Sequence, residues 1–250
     1  MTQDLFRQDA YLRECSAHIT AVTEAGIVLD RTVFYPLGGG QAGDSGVLVL
    51  ADGTEIAIAD TRKGKDAEGQ PTNDIVHVPA PGQEALLAAL APGTTVTARI
   101  DWERRHRMMR LHTTSHLLCH VVPQLVNGCS ITPDYARLDF AMTDPLDKEQ
   151  LTAAIAAMVA AAHPLTVASI SDEELDANPA LVKSMSVQPP RGTGRIRTIR
   201  IGGEGDAPLI DLQPCGGTHV ANTAEIGAIV VTKIEKKSAT TRRVVLGFAP

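Results

Sequence analysis

Two short pairs of metal-binding residue types stand far apart in this chain of 250 residues. The first pair is His112-Thr-Thr-Ser-His116, and the second is Cys215-Gly-Gly-Thr-His219. On a helix, side chains four residues apart share one face with their Cβ atoms roughly 5 to 6 Å apart, so the first pair would reach one ion. In the second pair, two glycines permit a tight turn between a thiolate and an imidazole. Three imidazoles and one thiolate suit tetrahedral Zn²⁺, and the sequence therefore predicts a zinc site formed by these four residues.

The residues alone do not decide whether this zinc is structural or catalytic. Four protein ligands are typical of closed structural sites, whereas catalytic sites keep a position for water or substrate. Structural zinc usually recruits several cysteines at close spacing, and the origin of these ligands in two distant segments favours a functional ion. Two neighbours are excluded, because His120 lies two turns from His112 and Cys119 is typical of a small core residue. The His-Glu-x-x-His motif is absent, which argues against a metallopeptidase.

The elements that must position these ligands divide the chain into two predicted domains. Up to about residue 98, short β-branched and alternating runs are separated by Gly, Asp and Pro, which predicts a small N-terminal β-barrel over residues 1–98. Later in the chain, helices are predicted over residues 102–125 and 147–162, with strands between and beyond them. The predicted fold class is α+β, with a second domain over residues 99–250 in which helices pack on an antiparallel sheet.

The composition is that of an ordinary globular protein, with 44% hydrophobic and 21% charged residues. The N-terminus carries charges without an apolar core, and no apolar run is long enough for a membrane span, so we expect a cytoplasmic protein without a membrane partner. The formal net charge of −6 argues against a generally basic nucleic-acid binder. The charge is uneven, because residues 1–100 carry seven basic and thirteen acidic residues, and residues 101–250 carry sixteen of each.

Two further segments are candidates for binding. Arginines at positions 104, 105, 107 and 110 precede the first histidine pair as local basic surface for phosphate, although a solvated helix face explains such a cluster as well. Residues 34–41, FYPLGGGQ, contain three glycines that let the backbone approach a ligand and expose its N–H groups. A flexible turn between strands is the alternative. No Walker lysine accompanies these glycines, so no nucleotide cofactor is expected.

Three segments taken together resemble one known family. The order and the residues of these segments resemble motifs of the alanyl-tRNA editing family: FYPLGGGQAGDSG, RMMRLHTTSHLL and CGGTHVANTAEIG. That family comprises the editing domain of alanyl-tRNA synthetase and free-standing AlaX-type proteins. The resemblance covers nearly the whole chain, and HTxxHLL combined with CGGTH is far more specific than either motif alone. Because the chain has no room for an aminoacylation domain, it resembles the free-standing editors.

The resemblance implies a function. Such a protein is expected to act in trans on mischarged tRNA(Ala) and to hydrolyse the ester that joins serine, and as a second candidate glycine, to the tRNA 3′ end. An alanine pocket cannot cleanly reject glycine, which lacks a methyl group, or serine, which adds a hydroxyl, so a second hydrolytic site is needed. There are two alternatives: an RNA-binding module without catalysis, in which zinc only stabilises the fold, and a zinc hydrolase of another small ester. The oligomeric state is left open.

The resemblance also implies residue roles. The four predicted ligands would hold a zinc that positions water or the aminoacyl group, and no general base is assigned because an aminoacyl ester is already activated. Substrate contacts are implied in the glycine-rich motif and at a threonine that is alternatively a plain turn residue: Gly39, Gly40, Gln41 and Thr132. Contacts with tRNA phosphates are expected from basic side chains of the second domain: Arg104, Arg105 and Lys236.

Overall fold

The computed structural model describes residues 1–187, 189, 194–203, 205 and 208–250. It divides into two compact units, which we call unit 1 (residues 1–38 and 42–106) and unit 2 (residues 39–41 and 107–250). The division lies inside the longest helix and places three residues of the glycine-rich segment in unit 2. No helix in the described ranges is long and apolar enough to span a bilayer.

Unit 1 consists mainly of strands. They are β1 (Gln3–Asp4), β2 (Glu14–Thr23), β3 (Gly26–Leu29), β4 (Arg31–Thr32), β5 (Gly46–Leu50), β6 (Glu55–Lys65), β7 (Pro71–Pro79) and β8 (Thr95–Ile100). A 3-10 turn covers Leu5–Arg7, and the short helix α1 covers Glu84–Ala88. The two shortest strands, β1 and β4, pair with each other in parallel.

The six longer strands of unit 1 form one antiparallel sheet in the order β2-β3-β7-β6-β5-β8. This sheet closes as a barrel because β8 also pairs with β2, with Ala17 opposite Val96. Alternation along each strand decides which side chains face inward. In β6, for example, Ile56 and Ile58 are buried while their immediate neighbours Glu55 and Ala57 are exposed. The inward-facing aliphatic residues together form the hydrophobic core of unit 1.

In the residues of unit 2 that the structure describes, helices are combined with two sheets. Its helices are α2 (Trp102–Val121, which begins in unit 1), α3 (Lys148–Ala160) and α4 (Asp172–Ala177), with 3-10 turns at Pro179–Leu181 and Thr223–Ile226. Its strands are β9 (Val126–Ile131), β10 (Tyr135–Ala141), β11 (Leu165–Ile170), β12 (Ile196–Gly202), β13 (Leu209–Pro214), β14 (Ile229–Ser238) and β15 (Thr241–Phe248).

Both sheets of unit 2 are antiparallel. The larger has the strand order β14-β15-β10-β9, and in it Leu138 lies opposite Val244, with both side chains buried. The smaller has the order β11-β12-β13, and in it Ile201 lies between Leu165 and Asp211. Asp211 is thus a buried acid beside aliphatic residues, a placement that costs free energy unless the carboxylate is paired.

The helix α2 carries the first histidine pair into the protein interior. Near its start, the Asp101 carboxylate accepts a hydrogen bond from the Arg104 N–H at 3.1 Å, which satisfies one of the otherwise unpaired donors of the first turn. Every residue of α2 from position 111 to position 119 is buried. The helix ends at Val121, short of the predicted end at 125, because Pro123 disfavours helical backbone in the residue that precedes it.

The predicted mixed class, with helices and antiparallel sheets, is confirmed. The helix predicted over residues 147–162 is present as α3, and its N-terminus is capped by Asp147, which accepts from the Gln150 N–H at 2.8 Å. The domain division at residue 98 stays a prediction, while the compact units change between residues 106 and 107.

Candidate metal centre

The first histidine pair lies on one face of α2, as its spacing predicts. The ring centroids of His112 and His116 are 5.4 Å apart, and each residue is only 5% exposed. Their burial follows from the neighbouring Leu111, Leu117 and Leu118, whose side chains are fully buried on the same helix. The helix α2 therefore presents two imidazoles to the interior of unit 2.

The second pair lies in the turn after β13. The ring centroid of His219 is 4.2 Å from that of His112 and 4.6 Å from that of His116. Cys215 Sγ lies 3.5 Å from His112 Nε2 and 3.3 Å from His219 Nε2. One ligand atom from each of the four residues lies within 4.8 Å of the others. The four residues singled out in the sequence therefore form one cluster.

The turn between the two residues of the second pair depends on glycine. A Cβ atom on Gly217 would overlap the imidazole of His112 and come within 2.9 Å of Gln41 Oε1. A side chain at this position would therefore displace the ring of a ligand residue. Arg197 also fixes the turn, because its guanidinium donates to the Cys215 carbonyl at 2.6 Å and to the Gly217 carbonyl at 3.1 Å.

All three histidines bond to the protein through Nδ1, at distances of 2.7 to 3.2 Å. The partners are Gln41 for His112, Asp211 for His116 and Thr113 for His219. An amide carbonyl or a carboxylate accepts only from a protonated nitrogen, so His112 and His116 carry a proton on Nδ1. Neutral rings in this tautomer keep a lone pair on Nε2, which is the atom that a metal ligand needs.

Burial and the charges inside the cluster favour the metal-binding protonation states of Cys215 and His219. Burial alone would raise the pKa of Cys215, but the neighbouring charges of His112 and His219 hold that pKa well below the ordinary value of a thiol. Burial, together with the charge of His112, holds the pKa of His219 well below its ordinary value. A thiolate and a neutral imidazole are the forms in which these side chains bind metals.

His116 differs from the other histidines because two acidic groups face it. Burial would lower its pKa, but hydrogen bonds to Asp211 and Cys215 and their negative charges raise the pKa to about 9. Burial would likewise raise the pKa of Asp211, but its bond to His116 and the charge of Lys183 lower that pKa to about 2. The negative charges of Asp211 and Cys215 thus favour a positive charge at the position of the His116 ring.

The donor set of the cluster suits a zinc ion. Imidazole nitrogen and thiolate sulfur are the usual donors of tetrahedral Zn²⁺ sites, whereas Mg²⁺ and Ca²⁺ prefer oxygen. The two residues excluded on sequence grounds lie outside the cluster. Cys119 is buried, and burial raises the pKa of its thiol to about 12, while His120 is exposed at the end of α2.

Gln41 supports the cluster from inside unit 2. It is fully buried, and its Oε1 accepts hydrogen bonds from His112 Nδ1 and, at 3.0 Å, from the Thr218 N–H. Its amide nitrogen donates to Thr218 Oγ1 at 2.8 Å. Both polar atoms of this side chain are bonded within the protein, so in this structure Gln41 orients the ring of His112. The expected substrate contact at Gln41 stays a prediction.

The two glycines before Gln41 adopt left-handed backbone conformations, with φ of 58° at Gly39 and 84° at Gly40. A Cβ atom on Gly40 would overlap the sulfur of Cys129 on β9, which explains the need for glycine. The Gly40 carbonyl accepts from the Ile131 N–H at 2.7 Å and so fixes the segment against β9. Gly39 is exposed, and its backbone therefore lies at the surface.

The remaining predicted contact residues lie in different environments. Thr132 closes the turn between β9 and β10, because its hydroxyl accepts from the Tyr135 N–H at 3.1 Å and donates to the Tyr135 carbonyl at 3.1 Å. This is the plain turn role that the sequence left open. Arg104 is partly buried and donates to the Gly43 carbonyl at 3.2 Å, while Lys236 is exposed on β14.

Arg105 is fully buried in unit 1. Its guanidinium donates to both carboxylate oxygens of Asp44, to the Ala10 carbonyl at 3.0 Å and to the Val33 carbonyl at 2.7 Å. A guanidinium that is fully buried and bonded to internal acceptors is not accessible to a phosphate. The burial of Arg105 and its pairing with Asp44 indicate a role in the core of unit 1 and do not favour the expected tRNA contact at this residue.

Sequence reasoning missed the groups that orient the ligands. Thr113 was present in the first motif, but its hydroxyl contact with His219 depends on a residue 106 positions away. Asp211 had a visible signal, because a single acid stands in the apolar run PLIDL just ahead of the second motif. Such an acid on a buried strand requires a partner, and that requirement could have directed attention to a histidine.

Two family models match parts of the chain. The model described as "Threonyl and Alanyl tRNA synthetase second additional domain" matches residues 196–245, a range that includes both residues of the second pair. The model described as "tRNA synthetases class II (A)" matches residues 7–104.

Similar proteins extend over the whole chain. Alanyl-tRNA editing protein AlaX-M of Saccharolobus solfataricus is 32% identical over 254 aligned residues, which cover 100% of this chain and 100% of that protein. The protein of the same name from Methanosarcina mazei is 32% identical over 97% of this chain and 95% of its own length. Alanine–tRNA ligase of Hyperthermus butylicus is 35% identical over 94% of this chain but only 24% of the ligase.

Proposed function

Because the chain belongs to the family of alanyl-tRNA editing proteins of the AlaX-M type, we propose that it is a trans-editing hydrolase of mischarged tRNA(Ala). It cleaves the ester between a wrongly attached amino acid and the tRNA 3′ end, with serine as the main substrate and glycine as the second. The observation that carries this proposal is the convergence of three imidazoles and one thiolate, within 4.8 Å of one another, in a chain of this family.

Zinc is the proposed cofactor, held by the four residues of the cluster: His112, His116, Cys215 and His219. When bound, it supplies Lewis-acid chemistry, which polarises the ester carbonyl or lowers the pKa of water. The protein's own groups keep the ligand atoms in place. Gln41 and Asp211 hold the Nδ1 protons of two of the rings, and the Cys215 thiolate lowers the net charge of the site. No general base is assigned, because an aminoacyl ester is activated and orientation supplies much of the rate.

We propose that the chain consists of two domains with different roles. Residues 1–98 form the β domain, and residues 99–250 form the editing domain that carries the ligands. The exposed backbone at Gly39 is the proposed contact for the aminoacyl end, together with Gly40. Arg104 and the exposed Lys236 are the proposed contacts for tRNA phosphates. With a net charge of −6, the protein depends on such local basic groups to approach RNA.

Deacylation of three charged forms of tRNA(Ala) tests the function. We expect hydrolysis of serine-charged and glycine-charged tRNA(Ala), with alanine-charged tRNA(Ala) left intact, because an editor must spare the correct product. Chelation should abolish the activity and added Zn²⁺ should restore it. Equal hydrolysis of all three forms would identify a less specific esterase, and tRNA binding without turnover would identify an RNA-binding module.

Cys215→Ala separates a catalytic from a purely structural metal. Removal of one of four ligands should lower kcat/KM at least about 100-fold while circular dichroism shows that the fold survives. Cys15→Ala is the matched control, because Cys15 lies in unit 1 outside the cluster, and it should keep full activity. If Cys215→Ala unfolds the protein, or if it retains wild-type activity after chelation, the catalytic role of the metal is wrong.

A further inference from the structure

A buried carboxylate stands directly behind one ligand of the cluster. Asp211 is 2% exposed, and its Oδ2 accepts a hydrogen bond from His116 Nδ1 at 2.7 Å. We propose that Asp211 is a positioning residue of the metal centre, which fixes the ring of His116 and raises the affinity of the site for a divalent cation. This inference rests on the proposed function only in requiring that the cluster binds a metal.

The surroundings of Asp211 hold its carboxylate in one orientation. Oδ2 also accepts from the Gln213 amide at 2.7 Å, and Oδ1 forms an ion pair with Lys183. Because β13 pairs with β12 at this position, the backbone of Asp211 is fixed as well. A carboxylate with both oxygens bonded cannot rotate freely, so Oδ2 stays directed at His116.

The other two ligand histidines have weaker partners behind them. His112 is bonded to the neutral amide of Gln41 at 2.8 Å, and His219 to the hydroxyl of Thr113 at 3.2 Å. Hydrogen bonds to an ionised acceptor are shorter and about twice as strong as neutral ones. A carboxylate also increases the electron-donating power of the opposite ring nitrogen, so among the three rings His116 should be held most tightly and donate most strongly.

A merely structural role for Asp211 would be the ion pair with Lys183 alone. The Lys183 side chain is 26% exposed and can be solvated in part, whereas the partner at Oδ2 is a buried ligand residue. Burial of a carboxylate is costly, and a hydrophobic residue on β13 would avoid that cost. The bond from His116 Nδ1 to Oδ2 therefore points to a role for the acid in orienting this ligand ring, beyond its pairing with Lys183.

The affinity of the purified protein for Co²⁺ and Zn²⁺, measured by competition with a chromophoric chelator, tests the inference. We expect Asp211→Asn to weaken binding by about 10- to 100-fold. Asp139→Asn is the matched control, because Asp139 is likewise an acid paired with basic side chains, here Arg243 and Arg137, but does not contact a ligand. Equal affinities of Asp211→Asn and wild type, or equal losses in both variants, would overturn the proposal.

A second measurement uses the wild-type protein and therefore holds even if Asp211→Asn fails to fold. In the zinc-loaded protein, the Nδ1 proton of His116 should resonate further downfield than those of His112 and His219, because only its acceptor is a carboxylate. Similar shifts for all three protons would contradict the role of Asp211. A wild-type protein that binds neither metal would instead refute the zinc site of the proposed function.

Discussion

Both units contain buried histidines, but the partners of the ring nitrogen Nε2 differ between the two units. In unit 1, His77 is fully buried and both ring nitrogens are bonded: Nδ1 donates to the Ile27 carbonyl at 3.1 Å, and Nε2 accepts from the Thr32 hydroxyl at 2.8 Å. In unit 2, the ligand histidines bond to the protein through Nδ1, while Nε2 of His112 and His219 faces the sulfur of Cys215. A buried ring with both nitrogens bonded stabilises a fold, and a group of rings with facing lone pairs calls for a cation.

The buried charges show the same contrast. In unit 1, Arg105 and Asp44 neutralise each other, and neighbouring backbone groups take up their other hydrogen bonds. In unit 2, the cluster brings together one thiolate and the imidazoles, with Asp211 behind them. Complete pairing thus identifies a structural group, while an excess of electron-pair donors identifies a binding site. The predictions below test this distinction.

The largest effect on folding is expected from the buried pair of unit 1. Arg105→Met leaves the Asp44 carboxylate buried without its partner and should lower the free energy of unfolding by about 3 to 5 kcal/mol. Urea denaturation measures the loss. Arg99→Met is the matched control, because the pair of Arg99 with Glu14 is about half exposed, and it should cost less than about 1 kcal/mol. Similar losses in the two variants would show that the pair of Arg105 is no more structural than a surface pair.

The ligands of the metal centre were predictable because each pair is local in the chain. A spacing of four residues on α2 and a glycine turn after β13 determine the geometry within each pair. Which ligand each supporting group contacts was not predictable, even for Asp211 with its visible signal, because Gln41 lies 71 residues from His112 and Asp211 lies 95 residues from His116. Contacts at such separations arise from the packing of unit 2 and leave no periodic signal in the sequence.

The same limit applies to the fold and to the basic residues. Alternation over residues 55–60 was sufficient to predict the first part of β6, and the helical pattern was sufficient to predict α3. The polar residues 62–65, for which the sequence indicates a loop, continue β6 to Lys65. The clustering of arginines in the first half of α2 did not reveal which side chains face solvent. Arg105 is buried against Asp44, and the guanidinium groups of Arg107 and Arg110 lie 4.1 and 4.5 Å from the ring centroid of Phe248. A charge pattern alone cannot separate these environments.

A smaller effect, on the pH dependence of stability, should distinguish His77 from the ligand histidines. Burial lowers the pKa of His77 to about 4, although its bond to the Ile27 carbonyl acts in the opposite direction. Between the unfolded value of about 6.5 and this folded value, the unfolded chain binds the extra proton. Stability should therefore fall as pH decreases through this window, by about 1.4 kcal/mol per unit and about 3 kcal/mol in total.

Comparison of wild type with His77→Gln isolates this contribution, because all other titrating groups are shared. Urea denaturation from pH 7 to pH 4 should give a flatter dependence for the variant, while above about pH 6.5 the two profiles should run parallel. If the free energy of unfolding has the same dependence on pH in both proteins below pH 6.5, protonation of His77 does not destabilise unit 1. Burial with both ring nitrogens bonded would then not keep His77 neutral, contrary to the structural role given to it here.

The smallest effect concerns the glycine turn of the metal centre. In Gly217→Ala the new methyl group must displace the ring of His112, since a Cβ atom there would overlap the imidazole. The ring can move by a small rotation, so we expect Zn²⁺ binding about 10-fold weaker, measured by chelator competition. Gly128→Ala on β9 is the matched control, because a Cβ at Gly128 meets only Asp139 Oδ2, at 3.9 Å, and its affinity should equal that of wild type. If Gly217→Ala binds Zn²⁺ as tightly as the control, the position of the His112 ring is not what limits Zn²⁺ binding in the cluster of unit 2.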